Sequence, residues 1–521
     1  MGVEQQLRLR KAQQKFRMRG LTLTVDALKA VVAFLDGFLE AEDEGLEQLL
    51  SEADKISLKN NVLSKESILE MVASISGSTT IERNVFKVID AFQVPKFCYD
   101  PIRKMFHGPA EKLALHGDAQ SKAALYRDRL QLLQQRIVRD RHFAKPAFRV
   151  DGSRSGTCEM TPLQSLIGCS GNRWVMGIIS QLEDGCYYLE DISAATPIDL
   201  SVAKTTTGFF TENSIIVAEG ELQPDGVFKV YTCGFPPLES RSVSLSITAG
   251  LDFFGAGVLS PDEILRLERM ERKAINDMFV VFSEVWIDQE EAMQKLGMVL
   301  DGFESVEVVP TLFVFMGNFC SRPCNLAFHA FSKLREQFNR LGSLIAAHPR
   351  INQESKFLFI PGPGDPGPAS VLPRPPIPDY FAREVMKHVP NAIFSSNPCR
   401  VRYYSQEIVF FRQDLLYRMR RSCIIPPSEE ETKDPFEHLV ATVTHQSHLC
   451  PLPLMTEPIS WNYDHSLRLY PTPHTIVLAD CSEQKMFKYT GVTCFNPGSF
   501  TNDGTFVAYR PATQEPELSA I

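Results

Sequence analysis

Hydrophobic residues recur at helical spacing through the first part of the chain. Apolar side chains lie three and four positions apart from Leu21 to Leu35, and the same spacing returns around Leu49 and again over residues 66–75. This periodicity is typical of amphipathic helices that bury one face. The pattern predicts a small helical domain over residues 1–75.

The next part of the chain has a weaker pattern. Residues 76–165 contain one clear amphipathic helix, predicted at 120–142, and flanks that are rich in glycine, proline and polar residues. Its apolar face is formed by Tyr126, Leu130, Leu133 and Ile137. We interpret this part as a linker with one long helix.

Over residues 172–236 the spacing of the apolar residues changes to one that is typical of β-strands. Short β-branched and aromatic runs separated by turn signals occupy 173–180, 186–191, 195–201, 214–222 and 227–235. Five strands in so few residues fit a small barrel, and the OB-fold is the common five-stranded design. We therefore predict an OB-fold over 166–245. The strands carry several acidic residues and few cations, so we favour a structural barrel over one that binds single-stranded DNA.

Short apolar strands alternate with helical stretches from about residue 275 onward, which is the pattern of a layered α/β domain. The predicted strands are 278–283, 311–317, 356–362, 392–397, 401–405, 407–411 and 475–480, and a helix is predicted at 324–347. The proline-rich residues 361–378 predict a loop. Together the patterns predict a multidomain α+β protein.

The amino-acid composition argues against some classes of function. The 521 residues are 44% hydrophobic and carry a net charge of −9, which argues against a protein that grips duplex DNA unaided. No window has the roughly 20 apolar residues that span a bilayer. The twelve cysteines lack paired spacings, so we expect reduced thiols in an intracellular compartment. Cys320 and Cys324 form one close pair, which alone is weak support for a zinc site.

Polar residues that follow the predicted strands are the candidates for chemistry, because ligands bind at the carboxyl ends of the strands in open α/β sheets. Their order resembles that of the calcineurin-like metallophosphoesterases over residues 275–505. The family's metal-ligand motifs fall on Glu284, Trp286, Asn318, Ser321, Pro363, Gly364 and Asp365.

Most of these replacements cannot serve a two-metal site. Such a site needs a cluster of carboxylates and imidazoles. Trp286 has no lone pair for a metal, Pro363 and Gly364 have no ligand side chain, and Asn318 lacks the charge of a bridging aspartate. We expect a vestigial site with no catalytic residue, metal or cofactor. One alternative stays open, an active phosphoesterase or nuclease with the metal set Glu284, Asn318, Asp365, His445 and His448.

An inactive phosphoesterase domain preceded by an OB barrel is similar to the B-subunits of eukaryotic replicative DNA polymerases. The segments that resemble the epsilon branch of that family are FRMRGLTL (16–23), SEVWIDQEE (283–291), FIPGPGDPG (359–367), VLPRPPIP (371–378), SSNPCRVRYYSQEIVFFRQDL (395–415), HLCPLPL (448–454) and NPGSF (496–500). The resemblance spans nearly the whole chain. It implies an OB-fold followed by an inactive calcineurin-like α/β sandwich over 246–521.

The resemblance also implies a function and partners. It suggests a non-catalytic subunit of DNA polymerase epsilon that holds the cysteine-rich C-terminal domain of the catalytic subunit. The N-terminal domain, similar to the helical lid of AAA+ ATPases, would contact the replicative helicase through GINS. Small histone-fold subunits would belong to the same complex in the nucleus, with DNA contacted mainly indirectly. Trp461, Tyr463 and Tyr470 are interface anchors by residue type, although buried core is the more common role.

Overall fold

The computed structural model divides the chain into two compact units, Met1–Lys87 and Val88–Ile521. It describes residues 15–18, 22–24, 27–28, 31, 49–50, 62–63, 68, 85–108, 113–143, 158–183, 185–324, 328–367 and 370–521, without side chains for 328–330. Among these residues no helix is long and apolar enough to cross a membrane.

In the first unit two short strands pair in parallel, β1 (Thr22–Leu23) with β2 (Val62–Leu63). The sequence pattern did not predict this pair. Helical backbone is present at 15–18 and at several buried apolar positions, namely Ala27, Val31, Leu49, Leu50 and Ile68. Most of the predicted helical domain, including nearly all of the helix at 66–75, lies outside the described residues.

The remaining elements follow in chain order. The strands are β3 (Phe86–Asp90), β4 (Cys98–Asp100), β5 (Met105–His107), β6 (Arg173–Glu183), β7 (Cys186–Glu190), β8 (Ala195–Asp199), β9 (Lys204–Thr205), β10 (Phe210–Thr211), β11 (Ile215–Leu222), β12 (Phe228–Gly234), β13 (Phe279–Ser283), β14 (Leu312–Met316), β15 (Lys356–Ile360), β16 (Ala392–Phe394), β17 (Cys399–Tyr403), β18 (Gln406–Arg412), β19 (Cys423–Ile425), β20 (Thr475–Ala479), β21 (Lys485–Tyr489), β22 (Val492–Asn496), β23 (Thr505–Arg510) and β24 (Glu515–Ala520). The helices are α1 (Ala119–Ile137), α2 (Arg241–Ile247), α3 (Pro261–Glu271), α4 (Glu290–Ser305), α5 (Phe328–Ala346), α6 (Pro349–Glu354), α7 (Asp379–Met386), α8 (Leu415–Arg421), α9 (Pro435–His445) and α10 (Phe500–Asp503).

The region interpreted as a linker contains more structure than one helix. Helix α1 forms where it is predicted but ends at Ile137 instead of 142, and the Asp118 side chain caps its start by accepting a hydrogen bond from Ser121 N at 2.8 Å. Strand β3 is the edge strand of a six-stranded sheet, next to β17, and β4 pairs with β5. The pattern missed these strands because each is short and only half-buried, so none shows a strong alternation.

All five strands predicted for the barrel are present as β6, β7, β8, β11 and β12. The sheet order is β11-β6-β7-β8-β12-β9, and an additional pairing of β11 with β12 closes it. Alternate side chains point inward, as in Val175 and Ile179 of β6 and Phe228 and Val230 of β12, which are fully buried together.

The C-terminal part contains two six-stranded sheets, ordered β16-β15-β14-β13-β23-β24 and β21-β22-β20-β18-β17-β3. Strands β13 to β16 are parallel, as are β18, β20 and β22. Helices α4, α5 and α7 cover one face of the first sheet, and α8 and α9 pack on the second. The two sheets meet at Tyr509, whose ring lies 5.5 Å from Phe495 and whose hydroxyl is 2.6 Å from Thr475 Oγ1. The seven predicted strands are confirmed, and β19 and β21 to β24 were not predicted.

The barrel and the C-terminal sheets are joined by hydrogen bonds between backbone and buried side chains. Strand β10, whose Phe210 packs in the barrel core, pairs with β19, and the Gln446 amide bonds both Ile215 N (2.9 Å) and Ile215 O (2.7 Å). Arg136 of α1 donates to Pro236 O, beyond the barrel's last strand, and to His445 O at the end of α9. Because these groups are buried and paired, the barrel, α1 and the sheets are held together as one body.

Candidate functional site

Three of the predicted positions come together where parallel strands end. Glu284 follows β13, Asn318 follows β14 and Asp365 follows β15, and these strands are neighbours in one sheet. Asn318 Nδ2 donates to Glu284 Oε1 at 3.2 Å, while Asn318 Oδ1 accepts from Gly364 N at 2.7 Å. The amide of Asn318 therefore bridges the two outer strand ends.

The loops at this edge approach each other so closely that Gly317 has no room for a side chain. A Cβ at Gly317 would lie 1.8 Å from Asp365 Oδ2 and 2.4 Å from Gly362 N. The strand ends are thus packed on backbone, with little space between them.

The carboxylate of Asp365 is directed at backbone amides. It accepts hydrogen bonds from Phe319 N and Gly362 N, each at 2.7 Å. Arg374 donates to the carbonyl oxygens of Pro363 and Asp365, both at 2.7 Å, which fixes the same loop. Burial raises the pKa of Asp365 to about 6, against the opposing effect of the two amides. In this position Asp365 orders the loop.

Arg412 supplies a positive charge at the centre of the site. Its guanidinium is fully buried and donates to Glu284 Oε1 at 2.8 Å, to Asp414 Oδ1 at 2.6 Å and to Gly317 O at 2.5 Å. Burial opposes ionisation of Asp414, but Arg412 together with hydrogen bonds from Cys481 holds the pKa of that carboxyl below its usual range. The sequence pattern did not assign Arg412 a role, although its place at the end of β18 is where functional side chains were expected.

Trp286 and Ser321 lie on the rim of the same edge. Trp286 is half-buried and its backbone N donates to Thr501 Oγ1 at 2.9 Å, while its indole Nε1 is buried with no described partner. Ser321 donates from N and Oγ to the two carboxylate oxygens of Asp288, at 3.0 and 2.6 Å. Both residues therefore form intramolecular hydrogen bonds at the rim of the site.

His445 and His448 form hydrogen bonds with residues outside these strand ends. The two ring nitrogens of His445 contact Pro236 O at 2.9 Å and Tyr489 Oη at 2.8 Å. His448 accepts from Cys450 N and contacts Asp464 Oδ1, both at 3.1 Å. Burial lowers the pKa of each histidine to about 4. The two imidazoles are therefore neutral parts of the packing between the elements that surround them.

The alternative metal set is not assembled in the part of the chain that the structure describes. There, the one group of three acidic, histidine or cysteine side chains with ligand atoms within 4.8 Å of one another is Asp414, Asp480 and Cys481. Glu284, Asp365, His445 and His448 form no such group. Within the Asp414 group Arg412 already neutralises one carboxylate, and burial with the two acids raises the pKa of Cys481 to about 12. Neither feature favours a bound cation.

The aromatic side chains considered as interface anchors differ in exposure. Tyr470 is buried and donates to Glu239 Oε2 at 3.1 Å. Tyr463 is half-buried with its ring 5.1 Å from that of Phe92, and Trp461 is half-buried beside Gly117. All three belong to intramolecular packing, which is the more common role for such residues.

Comparisons with known proteins match both halves of the second unit. A family model that describes the B-subunit of DNA polymerase alpha/epsilon matches residues 279–488, and one described as DNA polymerase epsilon subunit 2-like, OB-fold domain, matches residues 119–237. The second match covers β6 to β12 and confirms the predicted OB-fold.

The relatives are similar over nearly the whole chain. The chain is 57% identical over 518 residues to the DNA polymerase epsilon B-subunit of Arabidopsis thaliana, covering 98% of each chain. It is 36% identical over 526 residues to DNA polymerase epsilon subunit 2 of Bos taurus, again covering 98% of each. Among solved structures, an archaeal phosphodiesterase aligns with 47% of this chain and 99% of its own at 7% identity, with a TM-score of 0.25 that is too low to establish a common fold.

Proposed function

The chain belongs to the family of DNA polymerase alpha/epsilon B-subunits, and we propose that it acts as a non-catalytic accessory subunit of DNA polymerase epsilon. Whole-length similarity to named epsilon subunits from a plant and a mammal supports the assignment to this polymerase. The catalytic subunit is then its principal partner.

The absence of catalysis is supported chiefly by one observation, the guanidinium of Arg412 between Glu284 and Asp414. A divalent cation bound at Glu284 would face this positive charge in a site of low dielectric, where repulsion between like charges is strong. We propose that the C-terminal sheets are an inactive calcineurin-like phosphoesterase domain. On this proposal Glu284, Asn318 and Asp365 are vestigial positions that now hold the strand ends together.

A scaffolding role is supported by how the barrel and the sheets are joined. Ile215 of the barrel and Gln446 exchange two buried hydrogen bonds, and Arg129 of α1 pairs with Asp464 beyond α9. A partner that contacts both parts would meet a surface that needs little reorganisation, which lowers the entropic cost of binding. We propose that this body holds the cysteine-rich C-terminal domain of the catalytic subunit.

The further parts of the proposal concern the larger complex. The proposed domains are 1–75, 76–165, 166–245 and 246–521. The first of them would contact the replicative helicase through GINS. The small histone-fold subunits would be present in the same nuclear complex, and DNA would be contacted mainly through the catalytic subunit. The net charge of −9 favours indirect contact with DNA over direct binding.

Co-expression with the C-terminal region of the cognate catalytic subunit tests the accessory role. We expect a stoichiometric complex in size-exclusion chromatography, lost when the cysteines of that region are replaced by serine. Recovery of this chain as a folded monomer that does not co-purify with the intact region would contradict the proposal. Capture of GINS by the full-length chain, with and without the catalytic region, tests the helicase contact separately.

A further inference from the structure

A groove separates the segment that joins the barrel to β13 from strands β17 and β18 of the second sheet. Its cavity has a volume of about 820 Å³. Helices α2 and α3 and the loop between them form one wall, and β17 and β18 form the other. We call it the connector groove, and the lining residues that matter here are Leu245, Phe253, Val258, Arg402, Glu407 and Tyr470.

Arg402 in this groove is a buried cation with too few partners. Its side chain makes one hydrogen bond, from Nη1 to Gly257 O at 3.2 Å, and its Nε is buried with no described partner. The residue is only 4% exposed. No carboxylate among the described residues forms an ion pair with it, and the charges of Glu407, Asp252 and Glu263 act from farther away. Burial accordingly lowers its pKa.

The other two arginines of the groove make more hydrogen bonds than Arg402, although Arg400 also forms no ion pair among the described residues and its Nε is likewise buried with no described partner. Arg400 donates to three backbone carbonyls at 2.8 to 3.1 Å and lies 5.4 Å above the ring of Phe254. Arg241 pairs with Glu407 at 2.8 Å and donates to Thr472 O at 2.6 Å. A buried charge with neither a counter-ion nor enough hydrogen bonds is costly, so Arg402, with one hydrogen bond against three for Arg400, is the position at which an anion would be most favourable.

The walls around Arg402 indicate the class of the anion. Leu245 and Val258 are 44% and 60% exposed on the connector side, and Phe253 and Tyr470 line the same groove. The volume lies within the range of roughly 300–1,000 Å³ that is usual for ligand sites. Glu268 and Glu407 also line the groove and would repel a phosphate dianion more strongly than a single carboxylate. Apolar walls around the Arg402 guanidinium, which has a single hydrogen bond, suit a peptide in which an acidic side chain lies between apolar ones.

We propose that the connector groove is a docking site for an acidic–apolar peptide segment of a partner protein, whose carboxylate pairs with Arg402. The inference rests on the proposed function only in that the chain acts by binding other chains. It does not depend on which subunit carries the segment.

The test uses the full-length chain and two fluorescein-labelled peptides, one with the core Leu-Glu-Leu and one with Leu-Gln-Leu. Fluorescence anisotropy should show the glutamate peptide binding at least tenfold more tightly. Arg402→Met should remove that difference, and Val258→Glu, an exposed position that cannot disturb the core, should weaken both peptides. The matched control Arg335→Met removes a cation on α5 outside the groove and should leave binding unchanged.

Equal affinity of the two peptides for the unaltered chain, or an unchanged preference in the Arg402→Met variant, would overturn the inference. Displacement of the peptide by inorganic phosphate or a single-stranded oligonucleotide at lower concentration than by acetate would assign the groove to another ligand and overturn it as well. Co-purification with the catalytic region, measured on the same preparations, tests the accessory role independently.

Discussion

Arg412 Nη2 lies 2.8 Å from Glu284 Oε1, although the two residues are 128 positions apart in the chain. Glu284 follows β13 in the first sheet and Arg412 ends β18 in the second, so the contact joins the two sheets. The same guanidinium bonds Gly317 O, which follows β14. One buried cation thus connects three strand ends, in the place where the phosphoesterase resemblance would put metal ions.

Replacing Arg412 by methionine should strongly destabilise the fold. The variant leaves Glu284 and Asp414 without their counter-ion, and breaking a buried ion pair in this way typically costs about 3–5 kcal/mol. Urea unfolding followed by circular dichroism measures the change. Arg383→Met, which removes an exposed ion pair with Asp379, is the control and should change the free energy of unfolding by roughly 0–1 kcal/mol. Similar costs for both variants would refute the role given to Arg412.

Asn318→Asp should destabilise the site in a pH-dependent way. The change removes the hydrogen bond to Glu284 and places a second carboxylate beside it, so two like charges meet in a buried site. We expect a loss of about 1–3 kcal/mol at pH 7. The loss should shrink as the pH falls and one carboxyl takes up a proton. Unfolding curves at pH 7 and pH 5 measure both quantities, and a loss that grows on acidification would speak against like-charge repulsion.

The buried histidines should make the protein sensitive to mild acid. The pKa of His448 is lowered in the fold from its usual 6.5 to about 4, chiefly by burial, so the neutral form is the one that the fold stabilises. The contribution of His448 is therefore complete above pH 6.5 and is lost as the pH falls towards 4. At pH 5 the loss should be on the order of 2 kcal/mol.

His448→Gln tests this assignment, because glutamine keeps a donor near Asp464 and does not titrate in this range. The variant should show a flatter dependence of unfolding free energy on pH between 7 and 5. An identical acid dependence in the variant and the unaltered chain would exclude His448 as a contributor.

Gln446→Ala should loosen the barrel from the C-terminal sheets. It leaves both Ile215 N and Ile215 O without partners, at a cost of roughly 2 kcal/mol or more. Hydrogen exchange of the amides in β10 and β11 should accelerate, while that in β13 to β15 should not. Gln353→Ala, at an exposed position of α6, is the matched control. Uniform acceleration in both parts would indicate global destabilisation and contradict a local joint.

The sequence was sufficient for the elements that have a strong local pattern. Runs such as FVVFS and LFVFM are buried on both sides in parallel sheets, and this yields continuous apolar strands that are easily recognised. Glu284 comes directly after the first of these runs and Asn318 two residues beyond the second, so the candidate site followed from strand order alone. Strand β3 was missed because its pairing with β17 is a contact between positions about 300 apart, which no local pattern reveals.

The roles of single side chains were harder to predict. The sequence alone indicates only that Arg412 lies at the end of a strand. The arrangement of the two sheets is what brings it to Glu284. His445 and His448 looked like possible ligands because an H-x-x-H pair is a familiar metal motif, yet they bond to Pro236, Tyr489 and Asp464. Arg402 gave no signal either, since its shortage of partners depends on the backbone that packs around it.

The most direct test of the central claim is the metal content and hydrolytic activity of the purified full-length chain. Inductively coupled plasma mass spectrometry after incubation with Mn²⁺ and buffer exchange should find far less than one metal ion per chain. Turnover of a phosphodiester or single-stranded DNA substrate should not exceed that of the Glu284→Ala variant. Stoichiometric metal, together with turnover that Glu284→Ala abolishes, would contradict the account of a site held together by Arg412.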